Sequence, residues 1–161
     1  PGEYRSHLYF RATPKEKPLG EENPENKEES QISIKLVPVF GITIPVIIRI
    51  GSPSVSVTLS DLALTFENDT LPRLSFGFNR SGNFSVYGDI SVDHIAQDKT
   101  VTRVGIAKGI AVYTPNVRRK FSLNLMSGGL VDYRSGKLVV TFSAPSDVKP
   151  EKYAEAILDL H

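Results

Sequence analysis

The sequence predicts an all-β fold, a sandwich of antiparallel strands. Short apolar runs separated by turn residues recur from Pro53 to the end of the chain. Before them lies an uninterrupted period-two pattern, and no stretch carries a convincing amphipathic helix.

Taken in order, residues 4–12 (Tyr-Arg-Ser-His-Leu-Tyr-Phe-Arg-Ala) are aromatic and alternating, and read as a strand. Residues 13–30 carry glutamates, lysines and prolines and almost nothing apolar, so they cannot offset their ordering entropy by burial. A long acidic loop, exposed and easily cut, is expected there.

The stretch 31–51 is the most informative. Every even position from 32 to 50 is apolar: Ile32, Ile34, Leu36, Pro38, Phe40, Ile42, Ile44, Val46, Ile48 and Ile50. Alternation held this long predicts a continuous strand with one apolar face. At ~3.3 Å per residue it would reach roughly 60 Å, so it must bend or serve two cores. Pro38 and Pro45 cannot donate to a ladder, which places those points at an edge or between partners.

Beyond Pro53, strands are expected over Val55 to Phe66, Arg73 to Phe78, Phe84 to Val92, Thr100 to Ile106, Gly109 to Tyr113, Lys120 to Met126, Leu138 to Phe142 and Tyr153 to Leu160. A turn is expected at Asn79-Arg80-Ser81-Gly82-Asn83. The last segment also suits a short helix, but Ala154, Ala156, Leu158 and Leu160 share one face of a strand. Seven or eight strands in this span is the signature of an immunoglobulin-like β-sandwich. Its inward positions should include Val57, Leu59, Leu74, Phe76, Phe78, Val86, Leu123 and Val140.

Composition bounds the chemistry. The 161 residues carry a net charge of +1, so no global field draws the chain to nucleic acid or anionic lipid. With no cysteine, disulfides and thiolate metal sites are excluded. The apolar stretch Ile42 to Ile50 is broken by Thr43, Pro45 and Arg49, far short of the ~20 residues that span a bilayer; no membrane insertion is expected. The chain opens Pro1-Gly2-Glu3-Tyr4 with no basic or apolar leader region, so any export signal is expected to have been removed or to lie outside this sequence.

No catalytic constellation stands out. His7, His94 and His161 lack metal-ligand spacing and read as surface or strand-edge residues. No phosphate loop or nucleophile elbow is present. Asp61, Glu67, Asp132 and Asp159 read as solvated turn and edge residues. The sequons at Asn68, Asn79 and Asn83 read as turn composition rather than glycan acceptors. Arg118-Arg119-Lys120 reads as a solvated strand start. The chain is therefore expected to be a binding protein, not an enzyme, with no cofactor and no metal.

The order of features resembles the periplasmic pilus-assembly chaperones of the bacterial chaperone–usher pathway, the archaic branch above all. Tyr4 to Pro14 is similar to an aromatic strand ending at a proline, followed by a variable loop and an over-long alternating strand. Ile42-Thr43-Ile44-Pro45-Val46-Ile47-Ile48 looks like the branch's apolar-Pro-apolar segment leading into the second domain. Leu74 to Asn83 resembles an alternating strand entering an Asn-x-Gly-Asn turn, and Gly109 to Pro115 an aromatic-Pro step.

That resemblance implies the last strands of one immunoglobulin-like domain over 1–51, then a complete second sandwich over 53–161. It implies a periplasmic location and donor-strand complementation of pilus subunits, a form of β-augmentation, with an outer-membrane usher as further partner. The positions matching the donor motif are Ile32, Ile34 and Leu36, with Phe40 as extension. The family's carboxylate-anchoring basic residue would fall near Thr43 to Pro45, where neither Lys nor Arg stands; Lys35 and Arg49 are the strand's only basic residues. Uncovered apolar strands would also favour a homodimer. The alternative is an immunoglobulin-like structural or adhesion module of a secreted or surface protein, without chaperone activity.

Overall fold

The computed structural model describes residues 1–13, 38–68, 70–127, 129, 131–145 and 151–161. The expected acidic loop falls outside the described residues apart from Thr13, as do the donor positions Ile32, Ile34 and Leu36. All described secondary structure is β: β1 (Gly2–Arg11), β2 (Gly41–Ile50), β3 (Val55–Glu67), β4 (Leu71–Gly82), β5 (Val86–Ile95), β6 (Val101–Val112), β7 (Arg118–Asn124), β8 (Lys137–Ser143) and β9 (Lys152–Asp159). The chain divides into two compact units. One holds Pro1–Tyr4 with Arg49–His161, the other Arg5–Ile48.

The larger unit is a sandwich. Its sheets run β3-β4-β7 and β6-β5-β8-β9, every pair antiparallel. Strands β5 and β8 alternate buried and half-exposed positions along almost their whole length, as strands with one face in a core must. Phe78 of β4 is fully buried, and its ring meets Phe142 of β8 across the sandwich, centroids 5.1 Å apart and edge-on. Phe76 and Phe121 flank it at 5.3 and 6.1 Å. Of the expected inward positions, Val57, Leu74, Phe76, Phe78, Val86 and Val140 are buried, while Leu59 and Leu123 pack half-buried against that core.

Several boundaries differ from expectation for identifiable reasons. The two strands expected between Thr100 and Tyr113 are one, β6 (Val101–Val112). Gly109 adopts φ +71 at an irregularity in the pairing with β5, and the Asp89 carboxylate accepts its N–H at 2.9 Å, so the glycine marks a bulge and not a turn. Strand β4 continues to Gly82 through the expected turn. Asn79 stays in register with Thr58 and Arg118, and Asn79 Nδ2 donates to Ser60 Oγ at 2.9 Å. Arg80 is buried because its guanidinium donates to the carbonyls of Asn116, Gly82 and Phe84 at 2.8–2.9 Å. At Gly82 the ladder stops: its φ is +99, and a Cβ there would lie 1.9 Å from the Ser54 carbonyl. Residues 152–159 form strand β9, not a helix.

His94 corrects another expectation. It is buried on the inner face of β5, with Nε2 2.9 Å from the Ser135 carbonyl and its ring edge-on to Tyr133. Asp61 and Glu67 are partnered on the surface, by Arg118 and Arg73.

The smaller unit is built on the two-stranded ribbon of β1 and β2. The expected continuous strand from 31 to 51 does not hold: Pro38–Phe40 are not in strand conformation and β2 begins at Gly41. Pro38 has no N–H to give a ladder, which accounts for the interruption.

Candidate partner-binding surface

Two contacts fix how β1 and β2 pair. At one end the Ala12 N–H donates to the Phe40 carbonyl at 2.9 Å. At the other the Arg49 guanidinium donates to the Glu3 carboxylate at 3.0 Å. Both satisfy one antiparallel register, which sets Phe10 opposite Ile42 and Leu8 opposite Ile44. Period two then separates the faces. The even positions gather Leu8, Phe10, Phe40, Ile42, Ile44, Val46 and Ile48. The odd positions gather Arg5, His7, Tyr9, Arg11, Thr43, Pro45 and Ile47, with the Tyr9 ring closed over Gly41.

The even face is uncovered by the described residues. Phe40 is 73% exposed, Ile42 67%, Phe10 58%, and Leu8, Ile44 and Ile48 are about half exposed. Patches of this kind on soluble proteins mark places where something else sits. The charge pattern agrees. Residues 37–48 contain no charged side chain, whereas the sandwich's outer strands carry Arg103 and Lys108 (β6), Arg118, Arg119 and Lys120 (β7), and Lys152, Glu155 and Asp159 (β9). Charges on an edge discourage pairing with another chain, and β2 lacks that protection before Arg49. Of the four donor positions read from the sequence, Phe40 alone is described, and it stands at the mouth of β2 on the apolar face.

The ends of the two strands belong to the sandwich unit, where a network missed in the sequence secures them. The Glu3 side chain is fully buried. Ser85 Oγ donates to its carboxylate at 2.5 Å and itself accepts the Thr114 N–H at 2.9 Å, while Arg49 supplies the opposite charge. The Glu3 N–H donates to the Asn83 carbonyl at 3.0 Å. Asn83 in turn holds the connection into β3: its Oδ1 accepts the Ser54 N–H at 2.9 Å and its N–H donates to the Ser54 carbonyl at 2.9 Å. The side-chain amides of Asn79 and Asn83 are thus both engaged within the fold, Asn83 at the turn after β4 but Asn79 on the central strand β4 and not in the turn expected of it. Arg49, one of the two basic residues on the long strand, is committed to Glu3 and so is not a spare carboxylate anchor. The only hint in the sequence was the odd-position placement of Glu3 and Arg49, and the third partner, Ser85, is too distant in the chain to foresee.

The run Arg118-Arg119-Lys120 opens β7. Arg118 pairs with Asp61, and Arg119 donates to the Ala111 carbonyl with its guanidinium over the Phe121 ring, 5.8 Å from the centroid. Two of its three charges are locally satisfied, which suits a strand start better than an acid-binding patch.

No protein-family model matches the chain, and no curated protein or solved structure is similar to it.

Proposed function

We propose that the chain is a strand-donating chaperone of the periplasmic pilus-assembly type, which binds an incomplete immunoglobulin-like subunit by β-augmentation. The observation that carries this reading is the apolar face of the β1–β2 ribbon, which the described residues leave exposed and which is charge-free along β2 from Gly41 to Ile48. In β-augmentation main-chain hydrogen bonds supply affinity, and alternate side chains fill the partner's groove. Half-burying four such side chains contributes on the order of 3–6 kcal/mol, at ~1.5–3 kcal/mol for each fully buried one. The division of seven antiparallel strands into three and four supports an immunoglobulin-like second domain. The donor positions Ile32, Ile34 and Leu36 continue the same even-numbered pattern in the sequence.

The test is co-purification with a pilus-subunit domain lacking its final strand. Phe40→Asp and Ile44→Asp should each lose the subunit, while Thr43→Ser on the opposite face should keep it. Retention by both aspartate variants, with the protein folded, would overturn the proposal. Equal loss from all three would favour the alternative of a structural or adhesion module whose ribbon serves its own fold.

A further inference from the structure

On the outer face of the β3-β4-β7 sheet stands a glycine that its own backbone does not require. Phe76 and Phe78 of β4 point into the core, so Gly77 between them faces outward, in register with Ser60 of β3 and Lys120 of β7. Its φ is not left-handed, and a Cβ there would meet the Ser60, Arg118 and Asp61 side chains at 3.5–3.6 Å, which is ordinary contact. Glycine weakens a strand interior and marks a bulge, a bend or a close approach to the backbone. Gly77 is regularly paired on both sides and has room for a methyl, which leaves a close approach. The bare backbone at Gly77 floors a recess of about 310 Å³, with Asp61, Ser75, Arg118 and Lys120 around it.

The rim decides what fits. Asp61 has φ +54 at the irregularity of β3 between Ser60 and Ala63, and its carboxylate reaches over β4 to Arg118 of β7. Ser60 Oγ donates to the same carboxylate oxygen at 2.9 Å. The acceptor on the rim is thus engaged, whereas donors remain: the other N–H groups of Arg118 and the Lys120 ammonium, which has no partner among the described residues. Two cations against one carboxylate leave the rim positive. We infer that the recess binds a single carboxylate carried on a short hydrocarbon stem. The acid end meets Lys120 and Arg118, and the stem lies on the backbone of Gly77. A volume at the lower end of ligand pockets suits a group of that size. The run that opens β7 is therefore no broad acid-binding patch, but its third charge stands where one acid group can dock. Two sources carry this chemistry, a free small organic acid and a glutamate side chain of another polypeptide. The inference is independent of the chaperone reading.

The experiment titrates the full chain with succinate, with a capped tripeptide bearing a central glutamate, and with its glutamine counterpart, followed by amide chemical shifts. At least one of the two acids should give saturable shifts at Gly77 and Lys120, and the tighter of them names the source. The glutamine peptide should bind at least tenfold more weakly than the tighter acid. Lys120→Gln should weaken the acid at least fivefold. Gly77→Ala should do the same while its urea midpoint stays at or above that of wild type, since the methyl fills the floor without a clash. Asp61→Asn should strengthen binding at least threefold, because asparagine tolerates the positive φ and removes the competing negative charge. Absence of saturable shifts with both acids would overturn the inference, as would equal binding of the glutamine peptide or unchanged affinity in Gly77→Ala. Weaker binding by Asp61→Asn would make Asp61 a ligand contact and overturn the assignment of a carboxylate.

Discussion

Replacing Phe78 by alanine tests the account of the sandwich core most severely. Its ring is fully buried, touches Phe76 and Phe121 within its own sheet, and meets Phe142 of the opposite sheet edge-on at 5.1 Å. Truncating a buried phenylalanine costs ~3–5 kcal/mol through lost transfer energy and the cavity left behind. Aromatic pairs add ~0.5–1.5 kcal/mol beyond buried area, so the upper half of that range applies here. Typical total stability is ~5–15 kcal/mol, so the variant should sit close to unfolding. With a urea slope of ~2 kcal/mol/M, its midpoint should fall by roughly 2 M, followed by near-ultraviolet circular dichroism. Phe66, 46% exposed at the end of β3, is the control; Phe66→Ala should cost under ~1 kcal/mol. If the two variants lose the same stability, Phe78 does not hold the sheets together as described.

Two further outcomes are expected. Glu3→Ala should destabilise the chain by ~1–3 kcal/mol, the cost of lost hydrogen bonds to a buried group. The larger penalty of a broken buried ion pair should not appear, because Arg49 is 58% exposed and stays hydrated; a loss above ~4 kcal/mol in thermal or urea unfolding would contradict this. Burial raises the Tyr133 phenol above its ordinary value, and burial followed by the Glu151 carboxylate raises Tyr153. The folded state thus holds these protons more tightly than the unfolded chain, so the stability they contribute is intact below about pH 10 and is lost as pH climbs through the raised values. Ultraviolet titration of Tyr153→Phe should lack a late phenolate signal present in wild type, and an unchanged late signal in both Tyr133→Phe and Tyr153→Phe would refute the assignment.

Much of the sandwich was legible because β5 and β8 bury one face each. Val86, Val92 and Val140 announce it by alternation alone. The same parity places His94 inward, two residues after Val92, yet a lone polar residue in an apolar series reads as an edge. Gly109 was misleading because a glycine between apolar runs signals a turn, and only the Asp89 side chain, twenty residues earlier, makes it a bulge. Arg80 and Asn79 look like turn chemistry until the carbonyls and hydroxyl they bond are brought to them by β3 and the turn before β7. On the ribbon, the apolar pattern from Phe40 to Ile48 was visible at once. Which main-chain groups of β2 face β1 and which face away depends on the register, and that follows from the bond of Ala12 to Phe40 and the pairing of Glu3 with Arg49.

The central proposal is that the even face of β2 meets a subunit domain and not a second copy of the chain. A photo-activated cross-linking residue at Ile42, and separately at Thr43, tests it directly in cells that co-express the chain with a pilus-subunit domain lacking its final strand. The account predicts a single adduct from position 42, of the mass of chain plus subunit, and at least tenfold less from position 43. Equal adducts from the two positions, or an adduct from 42 with the mass of two copies of the chain, would contradict it.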